Sequence, residues 1–221
     1  MNSNIHASDN LKMLGIVGGI ASGKSLVSAA FEQLGAVVFN ADQIGHLVLR
    51  ESEVILAIKN RWGNDVLDAA GEVNRAAVAA IVFAKDGRSE KQFLEKLTHP
   101  RIGERLQQQL LGLEKSAAPM VVLDAALLFE AGWNSLCDAI VFVDVPREVR
   151  LKRALARGWS EADFAAREAW QWPVEEKLRR ADYVIDNSGD FACLAEQVAR
   201  IWDGMTPATS KAGKPLPKPR L

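Results

Sequence analysis

The fold is decided by the stretch MLGIVGGIASGKS, which covers residues 13–25. Its first part, residues 13–17, is apolar apart from one glycine and is typical of a short buried strand. Residues 18–25 then match the phosphate-binding pattern G-x-x-x-x-G-K-[ST]. Apolar residues at helical spacing follow from Val27 to Leu34. A strand, a glycine-rich loop and a helix in this order aim backbone N–H groups and a helix N-terminus at phosphates. The sequence therefore predicts a nucleotide-binding P-loop, and the alternative is a glycine-rich turn that binds nothing.

The residues of the P-loop have separate predicted tasks. The glycines let the backbone approach the phosphates, and the backbone N–H groups then form an anion-binding nest. Lys24 is expected to lie at the β- and γ-phosphates, and the Ser25 hydroxyl is expected to ligate Mg²⁺. The predicted nucleotide-binding residues of the loop are Gly18, Gly19, Ile20, Ala21, Ser22, Gly23, Lys24, Ser25 and Leu26.

Composition limits the classes of protein to which the chain belongs. Its 221 residues are 48% hydrophobic, which suffices for one α/β domain with an insertion or for two small domains. The formal net charge of −1 gives no global field that would attract nucleic acid or an anionic membrane. Cys137 and Cys193 form no C-x-x-C pair, and no apolar run approaches the ~18 residues of a membrane span. A polar N-terminus without a signal-peptide core favours a cytoplasmic protein with two reduced thiols.

Apolar runs alternate with helical patterns over much of the chain, which indicates a parallel sheet. The predicted strands are residues 13–17, 36–39, 121–123, 140–143 and 183–185. Helices are predicted for residues 24–34 and, from an apolar face between Phe191 and Trp202, after the last strand. We therefore predict an α/β protein with a three-layer P-loop NTPase fold and a five-stranded parallel sheet.

The strand pattern is interrupted between the second and third strands. Helical segments are predicted there for residues 41–61, 75–83, 90–97 and 100–113. Ser89 and Gln92 resemble a capping box for the third segment, and Pro100 suits the first turn of the fourth. In small kinases a helical insertion at this place commonly carries the acceptor, so residues 42–118 are predicted to form an acceptor domain.

Residues 146–180 are predicted to form a helical, mobile lid. A helix that opens at Pro146 would place Arg150, Arg153 and Arg157 on one face, where the like charges repel one another unless an anion lies between them. A solvated basic face is the alternative interpretation.

The second lid helix and the end of the chain are predicted from capping and composition. Ser160 with Asp163 resembles the cap of a helix that ends near residue 171. Residues 206–221 are rich in Pro, Lys, Ala and Gly, bury little apolar area and are predicted to be disordered. The nucleotide-binding core then comprises residues 11–41, 119–145 and 181–205.

Two aspartates follow predicted strands at the edge where ligands of an open parallel sheet bind. Asp42 comes shortly after the second strand, where a carboxylate would orient an acceptor hydroxyl and accept its proton. The alternative role for Asp42 is that of a helix N-cap. Asp124 ends the third strand, where a carboxylate would reach Mg²⁺, and an ordinary turn aspartate is its alternative.

Several segments, taken in order, resemble the dephospho-CoA kinase family. They are the P-loop, Ala41-Asp42, His99-Pro100, Leu127-Leu128-Phe129-Glu130 and the stretch ADYVIDN at 181–187, within residues 13–203. The resemblance implies a core, a helical CoA domain inserted after the second strand and a helical lid. It also implies that the γ-phosphate of ATP is transferred to the ribose 3′-hydroxyl of dephospho-CoA, the last step of coenzyme A synthesis, with Mg²⁺ as cofactor.

The resemblance also implies roles for individual residues. The catalytic residues that it implies are Asp42, Lys24, Arg153 and Arg157, and the metal ligand that it implies is Ser25; Asp124 is predicted as a ligand from its position alone. The residues that it implies for the acceptor are His99, Leu127, Phe129, Glu130, Arg167 and Gln171. Asn187 corresponds to the region near the adenine of ATP, and a turn asparagine is its ordinary alternative.

The chain departs from the family pattern at two positions. Asn40 stands where the family usually has the first aspartate of Asp-Ala-Asp, and Ala126 stands where it usually has proline. The first departure would alter a hydrogen bond or weaken metal binding, and the second frees the backbone before Leu127. Neither removes a residue with an implied chemical role.

Two other functions remain open at this point. One is a P-loop kinase for a different small acceptor, because Arg101 and Arg105 could form part of a clamp for an acceptor phosphate. The other is a regulatory nucleotide-binding protein, although the chain lacks an evident Asn-Lys-x-Asp motif for guanine. Dephospho-CoA is the expected partner, and we expect a monomer that binds neither nucleic acid nor membrane.

Overall fold

A parallel sheet presents the P-loop. The computed structural model describes residues 11–84, 86–113 and 118–206. Its strands are β1 (Lys12–Gly18), β2 (Val37–Asn40), β3 (Met120–Asp124), β4 (Ala139–Asp144) and β5 (Tyr183–Asp186). The strand order is β2-β3-β1-β4-β5, and every neighbouring pair is parallel. The predicted five-stranded parallel sheet is confirmed, with strand ends that differ by about one residue from the prediction.

Helices cover the sheet because its strands are apolar on both faces. Leu14 and Ile16 of β1 belong to a buried core with residues of α1 (Lys24–Gln33) and α9 (Phe191–Met205). On the opposite face of β1, the loop after β3 packs so closely that a Cβ atom on Gly15 would lie 2.8 Å from Cδ2 of Leu128 in that loop. The helices between β4 and β5 are α6 (Arg147–Ala156), α7 (Glu161–Ala169) and α8 (Val174–Arg180).

Residues Ala41–Gln109 form a separate compact unit that is helical. Its elements are α2 (Ala41–Val48), α3 (Ser52–Trp62), a 3₁₀ turn at Asn64–Val66, α4 (Arg75–Val82) and α5 (Arg88–Leu113), whose last turn extends beyond the unit. The Glu51 carboxylate forms ion pairs with Arg101 and Arg105, with N···O distances of 3.3 and 2.7 Å. These bonds hold the start of α3 against α5 and give the unit internal connections of its own.

The longest helix of this unit contradicts the predicted break. The segments 90–97 and 100–113 were predicted as two helices, but Pro100 lies inside the continuous helix α5. An interior proline removes one backbone donor and costs about 3 kcal/mol. Near the proline, Nη1 of Arg101 donates to the Leu97 carbonyl, at 3.1 Å. The predicted capping box is also wrong, because α5 begins at Arg88 and the Ser89 hydroxyl donates to Glu90 instead.

Two other helix predictions need correction. The segment 41–61 was predicted as one helix, but it is interrupted between α2 and α3. The second lid helix ends at Ala169 rather than near residue 171, and α8 was not predicted. The cap itself is confirmed, because Ser160 and Asp163 form a reciprocal capping box. The predicted disordered tail lies outside the described residues from position 207 onward. In the described ranges no helix is both long enough and apolar enough to cross a membrane.

Candidate active site

The P-loop adopts the shape that its glycines permit. It follows β1 directly, and α1 begins at Lys24 without a side-chain cap. Ala21 and Gly23 have φ angles of 59° and 86°, whereas Ser22 between them does not have a positive φ, so the sign of φ alternates along the loop. Such alternation directs successive N–H groups to one side and forms an anion-binding nest. The backbone thus carries the phosphate site, and the uncapped helix adds its own N–H groups to it.

Glycine is required in this loop for close approach as well as for dihedral angle. A Cβ atom on Gly18 would lie 2.9 Å from the carbonyl oxygen of Val143 and 2.6 Å from the Ser22 hydroxyl. That hydroxyl is buried and has no hydrogen-bond partner among the described residues. A buried polar atom without a partner costs free energy, so the loop interior suits a polar ligand better than an empty apolar space.

Two side chains hold the Ser22 carbonyl of the P-loop from outside. Arg153 of α6 donates to the Ser22 carbonyl from Nη1, at 3.2 Å, and to the Asn187 carbonyl from Nη2, at 2.8 Å. Asn187, just after β5, donates from Nδ2 to the same Ser22 carbonyl, at 2.8 Å. Asn187 is buried, and a carbonyl that accepts two such bonds is fixed in position. The prediction that Asn187 lies near adenine stays a prediction, because its side chain is engaged here with the loop.

Arg150 connects the lid to the same loop. Its buried guanidinium donates from Nη1 to Glu168 of α7, at 2.8 Å, and to the Ile20 carbonyl, at 3.4 Å. Arg147 donates to the other oxygen of Glu168, at 2.8 Å. Burial alone would raise the pKa of Glu168, but the bonds from both arginines and their charges outweigh it and lower the pKa. The basic stripe predicted for α6 is therefore neutralised in part by a carboxylate.

We expect Glu168→Gln to destabilise the protein by about 1–3 kcal/mol at neutral pH, the usual range for a charged hydrogen bond. Because the folded pKa of Glu168 is lowered, its stabilising contribution is present above the unfolded pKa of about 4.5. It is lost as the pH falls through the folded pKa. Urea unfolding at successive pH values should show the variant and wild type converging in acid. Glu196→Gln, at an exposed site on α9, is the matched control, and a constant difference at all pH values would contradict the assignment.

The residues predicted for Mg²⁺ offer the oxygen ligands that this ion prefers. Asp124 ends β3, is 5% exposed, and lies in register with Ile16 of β1 and Asn40 of β2. Ser25 lies in the first turn of α1 and is exposed. The described residues contain no group of three or more acidic, His or Cys side chains that would hold a metal alone. A carboxylate and a hydroxyl fit an ion whose remaining ligands are phosphate oxygens and water.

Residues after β3 meet the connection between α7 and α8. Glu130 accepts a hydrogen bond from the backbone amide of Trp172, at 2.7 Å, and forms an ion pair with Lys177, at 3.0 Å. The rings of Phe129 and Trp172 are stacked, with centroids 5.7 Å apart. A cavity of about 430 Å³ lies nearby; Gly19, Ile20, Gln171 and Trp172 are among its lining residues. The P-loop and the lid connection therefore share one concave space.

Comparison with known proteins assigns the chain to a family. Residues 12–192 match the family described as dephospho-CoA kinase. The chain belongs to the dephospho-CoA kinase family. Members are kinases of the final step of coenzyme A biosynthesis, so this chain is a phosphotransferase. The predicted family, function and enzyme class are thereby confirmed.

Individual relatives match over nearly the whole length. The dephospho-CoA kinase of Syntrophotalea carbinolica is 40% identical over 197 residues, which cover 88% of this chain and 92% of that protein. The dephospho-CoA kinase of Geobacter sulfurreducens is 39% identical over 194 residues, with 87% and 98% covered. Among solved structures, TT1252 from Thermus thermophilus has a TM-score of 0.75 at 30% identity and covers 90% of this chain and all of its own. The dephospho-CoA kinase of Campylobacter jejuni has a TM-score of 0.65 at 28% identity, with 88% and 98% covered.

The remaining predicted dephospho-CoA kinase residues are distributed over both units. Asp42 is exposed in the first turn of α2, and His99 lies on α5; both belong to the helical unit. In the other unit, Arg157 is exposed at the end of α6, and Arg167 lies with its guanidinium 4.6 Å from the ring centre of Trp159. Leu127 is half-buried in the loop after β3. Leu26 is 45% exposed on α1.

Sequence reasoning missed Lys177 and Glu168, and it gave Arg150 no specific partner. Each of them makes its main contact with a residue well separated in the sequence, such as Lys177 with Glu130 or Arg150 with Glu168. No pattern within a short stretch of sequence predicts such a long-range pair. The nearest available signal was the stripe of α6 arginines, which indicated that an anion between them would relieve their repulsion.

The two cysteines are expected to differ in reactivity. Burial, aided by the charge of Asp138, raises the pKa of Cys137 to about 12. The hydrogen bond with Asp190 and its charge raise the pKa of Cys193 as well, but Cys193 is exposed at the start of α9, so access to the reagent separates the two thiols. The thiolate is the reactive form, so iodoacetamide should label Cys193 in the native protein and Cys137 only in denaturant. Mass spectrometry of digested protein reads out both sites, and Cys193→Ser is the control. Native labelling at Cys137 would contradict the burial.

Proposed function

We propose that this chain transfers the γ-phosphoryl group of ATP to the ribose 3′-hydroxyl of dephospho-CoA, with the residues of the P-loop and Asp42 in the central roles. The observation that carries the proposal is a P-loop whose Ser22 carbonyl is held by both Arg153 and Asn187, in a member of this family. A loop held in this way offers fixed N–H donors to a phosphate chain, and phosphoryl transfer depends on positioning and charge neutralisation.

On the phosphate side, the nest of N–H groups at residues 18–25 binds the β- and γ-phosphates. Lys24, half-buried at the start of α1, supplies a positive charge to the same oxygens. Among the three arginines of the predicted basic face, Arg150, Arg153 and Arg157, the exposed one is Arg157, just after α6, and we assign it to the charge that develops during transfer. Arg153 acts mainly through the Ser22 carbonyl and keeps the loop in shape.

On the acceptor side, Asp42 aligns the 3′-hydroxyl and accepts its proton. Its position shortly after β2 supports this role, because ligands of parallel sheets bind beyond the carboxyl ends of strands. The acceptor residues that we propose are His99, Leu127, Phe129, Glu130, Arg167 and Gln171. Ser25 and Asp124 would hold Mg²⁺, which supplies charge neutralisation at the phosphates when it is bound.

The decisive experiment is an assay of ADP release with purified protein, ATP, Mg²⁺ and dephospho-CoA, with mass detection of the product. We expect ADP release that requires dephospho-CoA, together with a product that is one phosphate heavier at the 3′ position. Lys24→Ala is the control for release that does not come from this site. ADP release that ignores dephospho-CoA would refute the proposed acceptor and leave the nucleotide site in place.

The same proposal includes a monomeric protein in the cytoplasm that binds neither nucleic acid nor membrane. Its net charge of −1 supports the last two points, because such a charge attracts neither polyanion. Light scattering on the purified protein tests the monomer, and a dimer at micromolar concentration would contradict it.

A further inference from the structure

A lysine with no place in the proposed chemistry is completely buried. Lys177 lies on α8 and is 0% exposed. Its ammonium donates to the carbonyl of Ala126 at 2.9 Å and to Oε1 of Gln171 at 3.3 Å, and it lies 3.0 Å from Oε1 of Glu130. An ammonium has three protons to donate, so these three oxygens use its full capacity.

Burying this charge is unfavourable for the fold. Desolvation lowers the pKa of Lys177, the pairing with Glu130 opposes that shift, and the positive charge of Lys24 lowers the pKa further. A buried ion pair is often replaceable by apolar residues without loss of stability. The pair at Lys177 therefore contributes little as a stabiliser, and its contacts point to another role.

The three acceptors belong to two segments that frame the nucleotide site. Ala126 and Glu130 lie in the loop that follows Asp124, the proposed Mg²⁺ ligand at the end of β3. Gln171 belongs to the connection between α7 and α8, which also lines the cavity next to the P-loop. Lys177 thus joins the loop to the lid connection at one point. The Trp172 amide on Glu130 and the Trp172–Phe129 stack hold the same junction.

We propose that Lys177 is a positioning residue, which fixes residues 125–130 and the lid connection at 171–173 in the arrangement needed for phosphoryl transfer. The role rests on the proposed function, since it serves the same reaction. Lys177 acts through Ala126, Glu130 and Gln171. Residue 126 is alanine and not proline, so no pyrrolidine ring fixes its φ angle. The hydrogen bond from Lys177 to the Ala126 carbonyl supplies a restraint on the loop instead.

The test removes the ammonium without leaving a buried unpaired carboxylate. In Lys177→Met combined with Glu130→Gln, both charges disappear and the side-chain lengths remain similar, so the protein is expected to fold. We expect kcat at saturating dephospho-CoA to fall by about 10²-fold, the scale of a misplacement of about 1 Å, while the KM for ATP changes by less than about threefold. Glu130 is also a proposed acceptor residue, so kcat is measured at saturating acceptor, where weaker acceptor binding alone does not lower it. Lys152→Met, an exposed lysine on α6, is the matched control and should match wild type.

A rescue experiment separates positioning from bulk stability. The Ala126 amide donates no hydrogen bond in the described residues, so Ala126→Pro removes no bond while it restricts the loop. Added to the double variant, Ala126→Pro should recover about tenfold in kcat. Both variants are assayed well below their unfolding transitions, where the extra stability that a proline gives does not change kcat and a general loss of stability would give no such recovery. A double variant with wild-type kcat, or one that loses kcat and ATP binding together on unfolding, would overturn the proposal.

Hydrogen exchange provides a readout that is independent of the acceptor. In the double variant, backbone amides at 125–133 and 170–176 should exchange at least about tenfold faster, and amides of β1 should be unchanged. Unchanged exchange in these segments would overturn the positioning role, whatever the acceptor is. If wild-type protein ignores dephospho-CoA but the exchange result appears, the proposed function fails and the structural inference stands.

Discussion

Asp42→Asn should lower kcat by about 10²–10⁴-fold while ATP continues to bind, because the amide accepts no proton from the 3′-hydroxyl. The structure favours this role over that of a helix cap. Helix α2 begins at Ala41, so the cap position is Asn40 and Asp42 lies inside the first turn. Turnover is measured with saturating ATP and dephospho-CoA, and ATP affinity by calorimetry.

The control must separate catalysis from the helix charge that Asp42 also provides. An acidic residue in a first turn stabilises a helix by about 0.3–1 kcal/mol, so urea unfolding should show only a small change for Asp42→Asn. Asp65→Asn, at an exposed position of the same helical unit, repeats the chemistry of the substitution elsewhere. Near-normal kcat in Asp42→Asn would remove this carboxylate from the mechanism.

Gly23→Ala should weaken ATP binding by about 10- to 100-fold. The residue has a φ of 86°, and an added Cβ atom would lie 2.4 Å from Nδ2 of Asn187. A non-glycine residue in strained backbone costs about 1–3 kcal/mol, and each 1.4 kcal/mol is a factor of ten in affinity. The loop would relieve this strain by leaving its phosphate-binding shape, and it would have to restore that shape on binding. Calorimetric titration with ATP measures the loss.

A second glycine supplies the comparison for this substitution. Gly189, in the turn before α9, has no atom within 4 Å of an added Cβ and no left-handed φ. Gly189→Ala should therefore bind ATP as wild type does. Circular dichroism should show that both variants are folded. Equal ATP affinity in Gly23→Ala and wild type would mean that the loop tolerates a side chain there, contrary to the contact with Asn187.

The sequence predicted those parts of the fold that local pattern determines. The apolar strands, the P-loop and the Ser160 cap depend on residues within a few positions of one another, and the structure has all of them. The interruption of the sheet by helices was also readable, because the strand pattern stops after Asn40. In these places each local preference agrees with the final structure.

Other features depend on contacts between distant residues. Helix α5 continues through Pro100 although local preference ends it there, as tertiary packing overrides propensity. Lys177 forms its ion pair with Glu130, which lies 47 residues away in the sequence (177 − 130). The partner of Arg150 on α7 was equally hidden, since the sequence shows a basic stripe but not the carboxylate that faces it. Such pairs are set by topology, which a single sequence reveals only in outline.

The two hydrogen bonds to the Ser22 carbonyl have a consequence for the kinetics of nucleotide binding. Arg153 and Asn187 approach that oxygen from separate elements, so the protein's own contacts define one shape of the loop. Little conformational entropy is then lost on association. The phosphate-binding loop is therefore pre-organised. The rate of association with ATP should be limited by diffusion and charge rather than by a conformational change of the loop.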